Sequence, residues 1–220
     1  MEAALLKFNA DLFRIATVCQ SNEQTRYYLV GVFVEPRKAG GVTLTATDVS
    51  RLVCIYDETG TADESAIVSL TPDAFKACKT GKHETRREIE IDGPNATIYA
   101  VTGAGENETR TPVAFSNSCR VDGTFPDYRR VIPKIDIKPD SRPGNFNGAL
   151  LADFGKIATE LAKLRGQKTG QVRLMSFDPT MPAMVQLPNA PAFGVLMPMR
   201  GEQSDTMPDW YETREQVSAD

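Results

Sequence analysis

A short strand, an amphipathic helix and then two or three strands recur three times along the chain, and this repetition constrains the fold more than any single motif. In the first copy residues 5–8 are the predicted lead strand, Asn9 the helix N-cap, and Leu12, Ile15, Ala16 and Cys19 recur at helical spacing on one face. Strands are predicted over 27–35, 42–46 and 52–56, with 36–41 as a turn. The second copy leads from 66–70 into Thr71-Pro72, an N-cap with proline at the first helical position, then an apolar stripe of Ala74, Phe75 and Cys78. Alternating strands over 88–91 and 96–101 flank the Asp92-Gly93-Pro94-Asn95 turn, and 112–115 is a further strand. The third copy opens at Phe146-Asn147, echoing Phe8-Asn9; its helix carries Leu150, Phe154, Ile157, Leu161 and Leu164, and strands follow over 172–177, 183–187 and 193–197. The fold class expected is α+β, with helices on one face of antiparallel sheets.

Residues 133–144 contain Pro133, Pro139 and Pro143, the composition of a connector. The organisation expected is a complete two-unit domain over 1–133, a linker over 134–145, a half-domain over 146–200 and an acidic flexible tail over 201–220.

Charge is unevenly distributed. The net charge is -4, but from residue 201 onward six acids face the single base Arg214, which leaves the first 200 residues with 24 bases against 23 acids. A near-neutral body can still gather its bases on one face. Lys76 and Lys79 are predicted to share a helix face opposite Phe75 and Cys78, with Lys82, His83, Arg86 and Arg87 following. Arg14, Lys156, Lys163, Arg165 and Lys168 belong to the other two helices or their ends. Such residues are ordinarily a solvated face; bases on three repeated helices also suit contact with phosphates without base readout.

Catalytic chemistry finds little to build on. The only histidine, His83, lies in a polar stretch, and Cys19, Cys54, Cys78 and Cys119 are dispersed with no Cys-x-x-Cys pair, so no metal site or cofactor is expected and buried reduced thiols are. Glu88 and Glu90 alternate with isoleucine and read as a solvated edge or face. The glycine-rich 103–107 segment joins strands and reads as a hairpin loop. Apolar runs are strand-length and no secretory leader is seen, so a cytoplasmic protein with no membrane partner is expected.

Three segments carry a resemblance. Gly123-Thr124-Phe125-Pro126-Asp127-Tyr128-Arg129-Arg130-Val131-Ile132-Pro133, Val195-Leu196-Met197-Pro198-Met199-Arg200, and Arg26-Tyr27-Tyr28-Leu29 followed by Thr45-Ala46-Thr47-Asp48-Val49-Ser50-Arg51-Leu52 resemble signatures of the bacterial replicative polymerase sliding clamp, the DNA polymerase III beta subunit. Clamps of that family are rings of six domains, each of two strand-helix-strand units, with helices facing DNA. The resemblance implies a non-enzymatic processivity factor that encircles duplex DNA and tethers polymerase. The first two copies resemble a middle domain and the third the second half of a C-terminal domain, so the expectation is a miniature, phage-encoded clamp.

The same resemblance places a pocket for partner peptides at Leu29, Thr47, Arg51, Leu52, Pro133, Asn147, Leu150, Val195, Leu196, Met197, Pro198, Met199 and Arg200. Val49, Ser50 and Leu150 depart from the family's usual Gly, His and Tyr. DNA contacts are expected at Arg14, Arg26, Tyr27, Tyr28, Lys76, Lys79, Lys82, Arg86, Lys156 and Lys163. Expected partners are double-stranded DNA, polymerase and other clamp-binding peptides, a clamp loader and further copies of the chain. Four copies would supply twelve units, pairing through Leu150, Phe154, Ile157 and Leu161. Met207-Pro208-Asp209-Trp210-Tyr211 in the tail is expected to compete for the pocket. The alternative is a clamp-derived interaction module that binds replication partners without encircling DNA.

Overall fold

The computed structural model describes residues 5–134 and 143–201, so the acidic tail, with its methionine and aromatic island, and most of the proline-rich connector lie outside the described residues. The first unit comprises β1 (Leu5–Asn9), α1 (Ala10–Ala16), β2 (Val32–Pro36), β3 (Val42–Thr47) and β4 (Arg51–Asp57), followed by the short β5 (Thr61–Ala62). The second comprises β6 (Ala66–Val68), α2 (Pro72–Lys76), β7 (Arg86–Asp92), β8 (Asn95–Thr102), β9 (Thr109–Ser116) and β10 (Arg120–Val121). The third comprises α3 (Gly148–Leu164), β11 (Arg173–Met175), β12 (Ala183–Gln186) and β13 (Ala192–Leu196).

The first two units exchange their lead strands. β1 pairs with β7 of the second unit, while β6 pairs with β2 of the first. This gives a five-stranded sheet, β5-β1-β7-β8-β9, and an eight-stranded sheet, β10-β6-β2-β3-β4-β13-β12-β11. The third unit has no sheet of its own among the described residues. Its last strand, β13, pairs antiparallel with β4, from Ala192 against Ile55 to Leu196 against Arg51.

Helix boundaries follow side-chain capping. Asn9 accepts from the Leu12 amide and Asn147 from the Ala149 amide, so the echo of Phe8-Asn9 in Phe146-Asn147 is a shared N-cap. Phe154, Ile157 and Leu161 of α3 are fully buried in one core with Phe13 and Ile15 of α1 and with Leu44 and Ile55 of the sheet. Phe154 reaches the sheet at Gly194, where a Cβ would come within 2.2 Å of its ring. The α3 face expected to join two copies is therefore consumed within the chain; Leu150 alone of that set is only half-buried.

Other expectations also change. The run over 27–35 begins not as a strand but as 3-10 turns over Gln24–Leu29, and the strand starts at Val32. Gly31 explains the offset, because a Cβ there would lie 2.8 Å from the Val68 carbonyl, so the chain crosses β6 too closely for a side chain. Helix α2 ends at Lys76, leaving Lys79 and Lys82 in the following turns. The Thr80 amide and hydroxyl both donate to Asp11 and the Gly81 amide to Glu84, which draws the backbone out of the helix. Glu88 lies on a central strand, buried among Lys7, Arg86 and Arg110.

Candidate partner groove and nucleic-acid face

Alternation along β4 sends Val53 and Ile55 toward the helices and Leu52 and Cys54 to the opposite face. There Leu52 sits across from Val195. The chain after β10 folds over this face: Phe125 stacks on Phe33 with ring centroids 4.8 Å apart, and Tyr128 meets Phe125 edge-on. The Tyr128 hydroxyl donates to Glu35, and the Arg129 guanidinium covers the Tyr128 ring. Leu29, Leu52, Phe125, Tyr128 and Val195 form a small core of their own.

Between this cover and the β3–β4 turn runs a groove of about 110 Å³, lined by Thr47, Val49, Arg51, Leu52, Pro126, Asp127, Tyr128, Val131, Val195 and Met197. Val131 and Met197 stand at its mouth, 40% and 37% exposed. With Val49, which is also half-exposed, they form an apolar rim over Leu52 and Val195 that can receive an apolar side chain from a partner.

The turn is held from several sides. The Thr47 hydroxyl donates to the Arg51 carbonyl and accepts from the Val49 amide; Asp48 accepts from the Ser50 and Arg51 amides. The Met197 amide donates to the Ser50 carbonyl, tying the turn to the end of β13. Arg51 pairs with Asp48 and with Asp153 of α3. Burial is the largest single influence and opposes its charge, but the Asp153 hydrogen bond together with the charges of Asp48 and Asp153 raises its pKa above the ordinary value. Beneath the turn, burial pushes the Cys19 thiol up to about 12, so it is neutral and inert.

The residues expected in the pocket separate into groups. Thr47, Arg51, Leu52, Val195 and Met197 converge on the groove, with Leu29 packed into the core beneath it. Leu196 points the other way, into the helix-side core. Pro133 lines a neighbouring hollow beyond Tyr128, and Asn147, the N-cap of α3, and Leu150 in its first turn do not line the groove. Pro198, Met199 and Arg200 run past β13, where the Met199 amide donates to Asn145. Pro126, Asp127, Tyr128 and Val131 line the groove in place of Pro133. The Phe-Pro-Asp-Tyr run signals them in the sequence, yet it also fits plain turn chemistry.

The helix-side bases behave differently. Arg14 lies between Asp11 and Glu160, Lys156 pairs with Asp153, Lys163 with Glu160, Lys76 with Asp73 and Arg26 with Glu23. Lys163 and then Arg14 hold the Glu160 carboxyl below its usual range, as Lys156 and then Arg51 do for Asp153. Arg86 is on strand β7, with Glu88 on the sheet face opposite Ile89 and Ile91, and is tied to Glu88 and Glu108. Lys79 and Lys82 are exposed, with no carboxylate partner among the described residues. Tyr27 is 55% exposed and packs edge-on to Tyr28.

Known proteins resemble this chain in sequence and in fold. Over 157 residues the chain is 31% identical to the beta sliding clamp of Caulobacter vibrioides, a match covering 70% of this chain and 38% of that protein. The chain belongs to the beta sliding clamp family. Solved clamps share its fold. The sliding clamp of Bartonella birtlesii, bound to griselimycin, superimposes with a TM-score of 0.59 at 19% identity, over 91% of this chain and 67% of that one. The Pseudomonas aeruginosa clamp gives 0.60 at 18% identity, with the same coverage. The Thermotoga maritima beta subunit gives 0.57 at 16%, over 92% of this chain and 67% of that one. No family model matches. The chain thus spans 38% of the length of the curated clamps it matches. Among the described residues of this clamp-family chain, no helix is long and apolar enough to cross a membrane, and no cluster of His, Cys, Asp or Glu could hold a metal ion.

Proposed function

We propose that the chain acts without catalysis as a DNA polymerase processivity scaffold, holding a polymerase peptide in the groove while a ring of several copies encircles duplex DNA. The observation that carries this reading is the groove, built where β13 joins β4 and opening between the half-exposed apolar side chains of Val49, Val131 and Met197. Peptide anchoring needs one such cleft, and topological retention needs only weak phosphate attraction, so the nearly neutralised helix face is compatible with sliding. Assembly would fall to a clamp loader in this reading.

Ring contacts need places on the surface. The α3 apolar face is buried within the chain, so contacts between copies fall to the strands that end the sheets, β5 and β9 of one and β10 and β11 of the other. β9 carries an exposed Phe115 and holds the place in the second unit that β4 holds in the first, where β13 already pairs. Four copies, with twelve units, remain the assembly proposed.

A second reading draws on the paired bases. A helix face whose charges are mostly spent on Asp11, Asp73, Asp153 and Glu160 suits an interaction module that binds replication partners without surrounding DNA. Retention on DNA separates the two. After loading, a ring stays on circular DNA and slides off a linear fragment of the same sequence; equal retention on both would support the module.

A further inference from the structure

Val49 occupies backbone that its side chain disfavours. Its φ is +80°, in the left-handed region, whereas the other two non-glycine residues there among the described residues are Ser118 and Asn189. Short polar side chains tolerate this region; a β-branched one crowds the backbone, and a valine there is a genuine outlier. The strain is imposed by neighbours. The hydrogen bonds of Thr47 and Asp48 and the Met197 amide fix the turn whatever stands at position 49. The isopropyl group also gains little from the fold, since Val49 is 52% exposed and belongs to neither apolar core. It does form one wall of the groove, beside Leu52, Val131, Val195 and Met197. Strain maintained by surrounding contacts, at a residue whose only apolar company lines a cleft, marks a functional position.

We infer that Val49 is a specificity-determining residue: it narrows the groove on the side of the β3–β4 turn, so that a compact branched anchor such as leucine is preferred over an aromatic one. The inference rests on the groove being a peptide site. A wall added at the mouth of a small cleft excludes large side chains by volume and gives compact ones a contact they would otherwise lack.

The test uses the whole chain, its Val49→Gly and Val49→Ala variants, and fluorescent polar peptides with one fixed leucine and one neighbouring position set to Leu, Phe or Trp. The native chain should bind the Leu peptide tightest. Val49→Gly should weaken that peptide about fivefold, leave the Trp peptide as tight or tighter, and raise the thermal midpoint by about 2–4 °C as the strain is relieved. Val49→Ala loses most of the wall and relieves only the part of the strain that comes from β-branching, so it should shift the peptide ranking in the same way with a smaller rise in midpoint than Val49→Gly. Native peptide ranking in both variants would overturn this inference while leaving the peptide site standing. A lowered midpoint in Val49→Gly would also overturn it, since Val49 would then serve the fold. A native chain that binds none of the peptides would overturn the peptide site and this inference together.

Discussion

The groove and the helix face were both expected to be functional surfaces, and the structure treats them differently. At the groove, residues from β3, β4, β13 and the segment after β10 converge, and their apolar character survives assembly at the mouth through Val131 and Met197. On the helix face, most of the expected bases acquire a carboxylate within salt-bridge reach: Arg14, Lys76, Lys156 and Lys163 are all paired. Apolar side chains in a cleft keep their meaning because nothing among the described residues fills it. A charge keeps its meaning only if its neighbours leave it unpaired.

The largest expected effect breaks the groove and spares the helices. Replacing Val131 and Met197 together by alanine should weaken a partner peptide at least about thirtyfold, the scale of an interface hot spot, while the fold persists because both are partly exposed. Leu52 is the wrong target for this test: it is buried in the small core, and Leu52→Ala would cost about 2–5 kcal/mol of folding stability. An unchanged affinity in the double variant, read by fluorescence anisotropy, would remove the groove from the account.

Next come Lys79 and Lys82, which have no carboxylate partner among the described residues. Lys79→Gln with Lys82→Gln should weaken DNA binding at all sequences alike and lower the slope of log affinity against log salt by about 1.8, two phosphate contacts at roughly 0.9 each. Lys156→Gln with Lys163→Gln should do distinctly less, because those charges are already offset by Asp153 and Glu160. Equal effects of the two pairs would show that ion pairing does not decide which bases meet DNA. Glu160→Gln sharpens the same point: freeing Lys163 and leaving Arg14 with Asp11 alone should tighten DNA binding several-fold at low salt and little at high salt.

The smallest effect is on acid stability. Asp153 and Glu160 have folded pKa values below their ordinary ones, so their contribution is present above the unfolded values, about 3.9 and 4.3, and is lost as pH falls through the folded values. Chemical denaturation of the native chain should show stability falling below about pH 4, and Glu160→Gln should flatten part of that fall. An unaltered pH profile in the variant would show that the pair is not coupled to folding.

Much of the architecture was legible in the sequence. The first two strand-helix-strands units, the Asn9 and Asn147 caps and most strands follow from periodicity and turn chemistry, which are local; the third copy has its helix and three strands but no lead strand among the described residues. What escaped depended on contacts across the chain. The exchange of β1 and β6 between sheets leaves no mark in either strand, and 27–31 has strand-forming residues yet turns because Gly31 must pass close to Val68. Lys76 and Lys79 stand at helical spacing, but Asp11, far away in sequence, takes the Thr80 amide and hydroxyl and α2 stops short. In the groove, the resemblance found the β4 and β13 walls; the third wall, Pro126 to Val131, required knowing where the chain after β10 lies.

The separation of the two surfaces is tested most directly by a methyl and amide NMR titration of the whole chain, first with a leucine-containing peptide and then with a short DNA duplex. The account predicts that peptide shifts the methyl signals of Val49, Leu52, Val131, Val195 and Met197 and leaves those of α2 and α3 in place, while DNA shifts the amides around Lys79 and Lys82 and leaves the groove in place. Peptide shifts confined to the helix side, or DNA shifts centred on the groove, would contradict it.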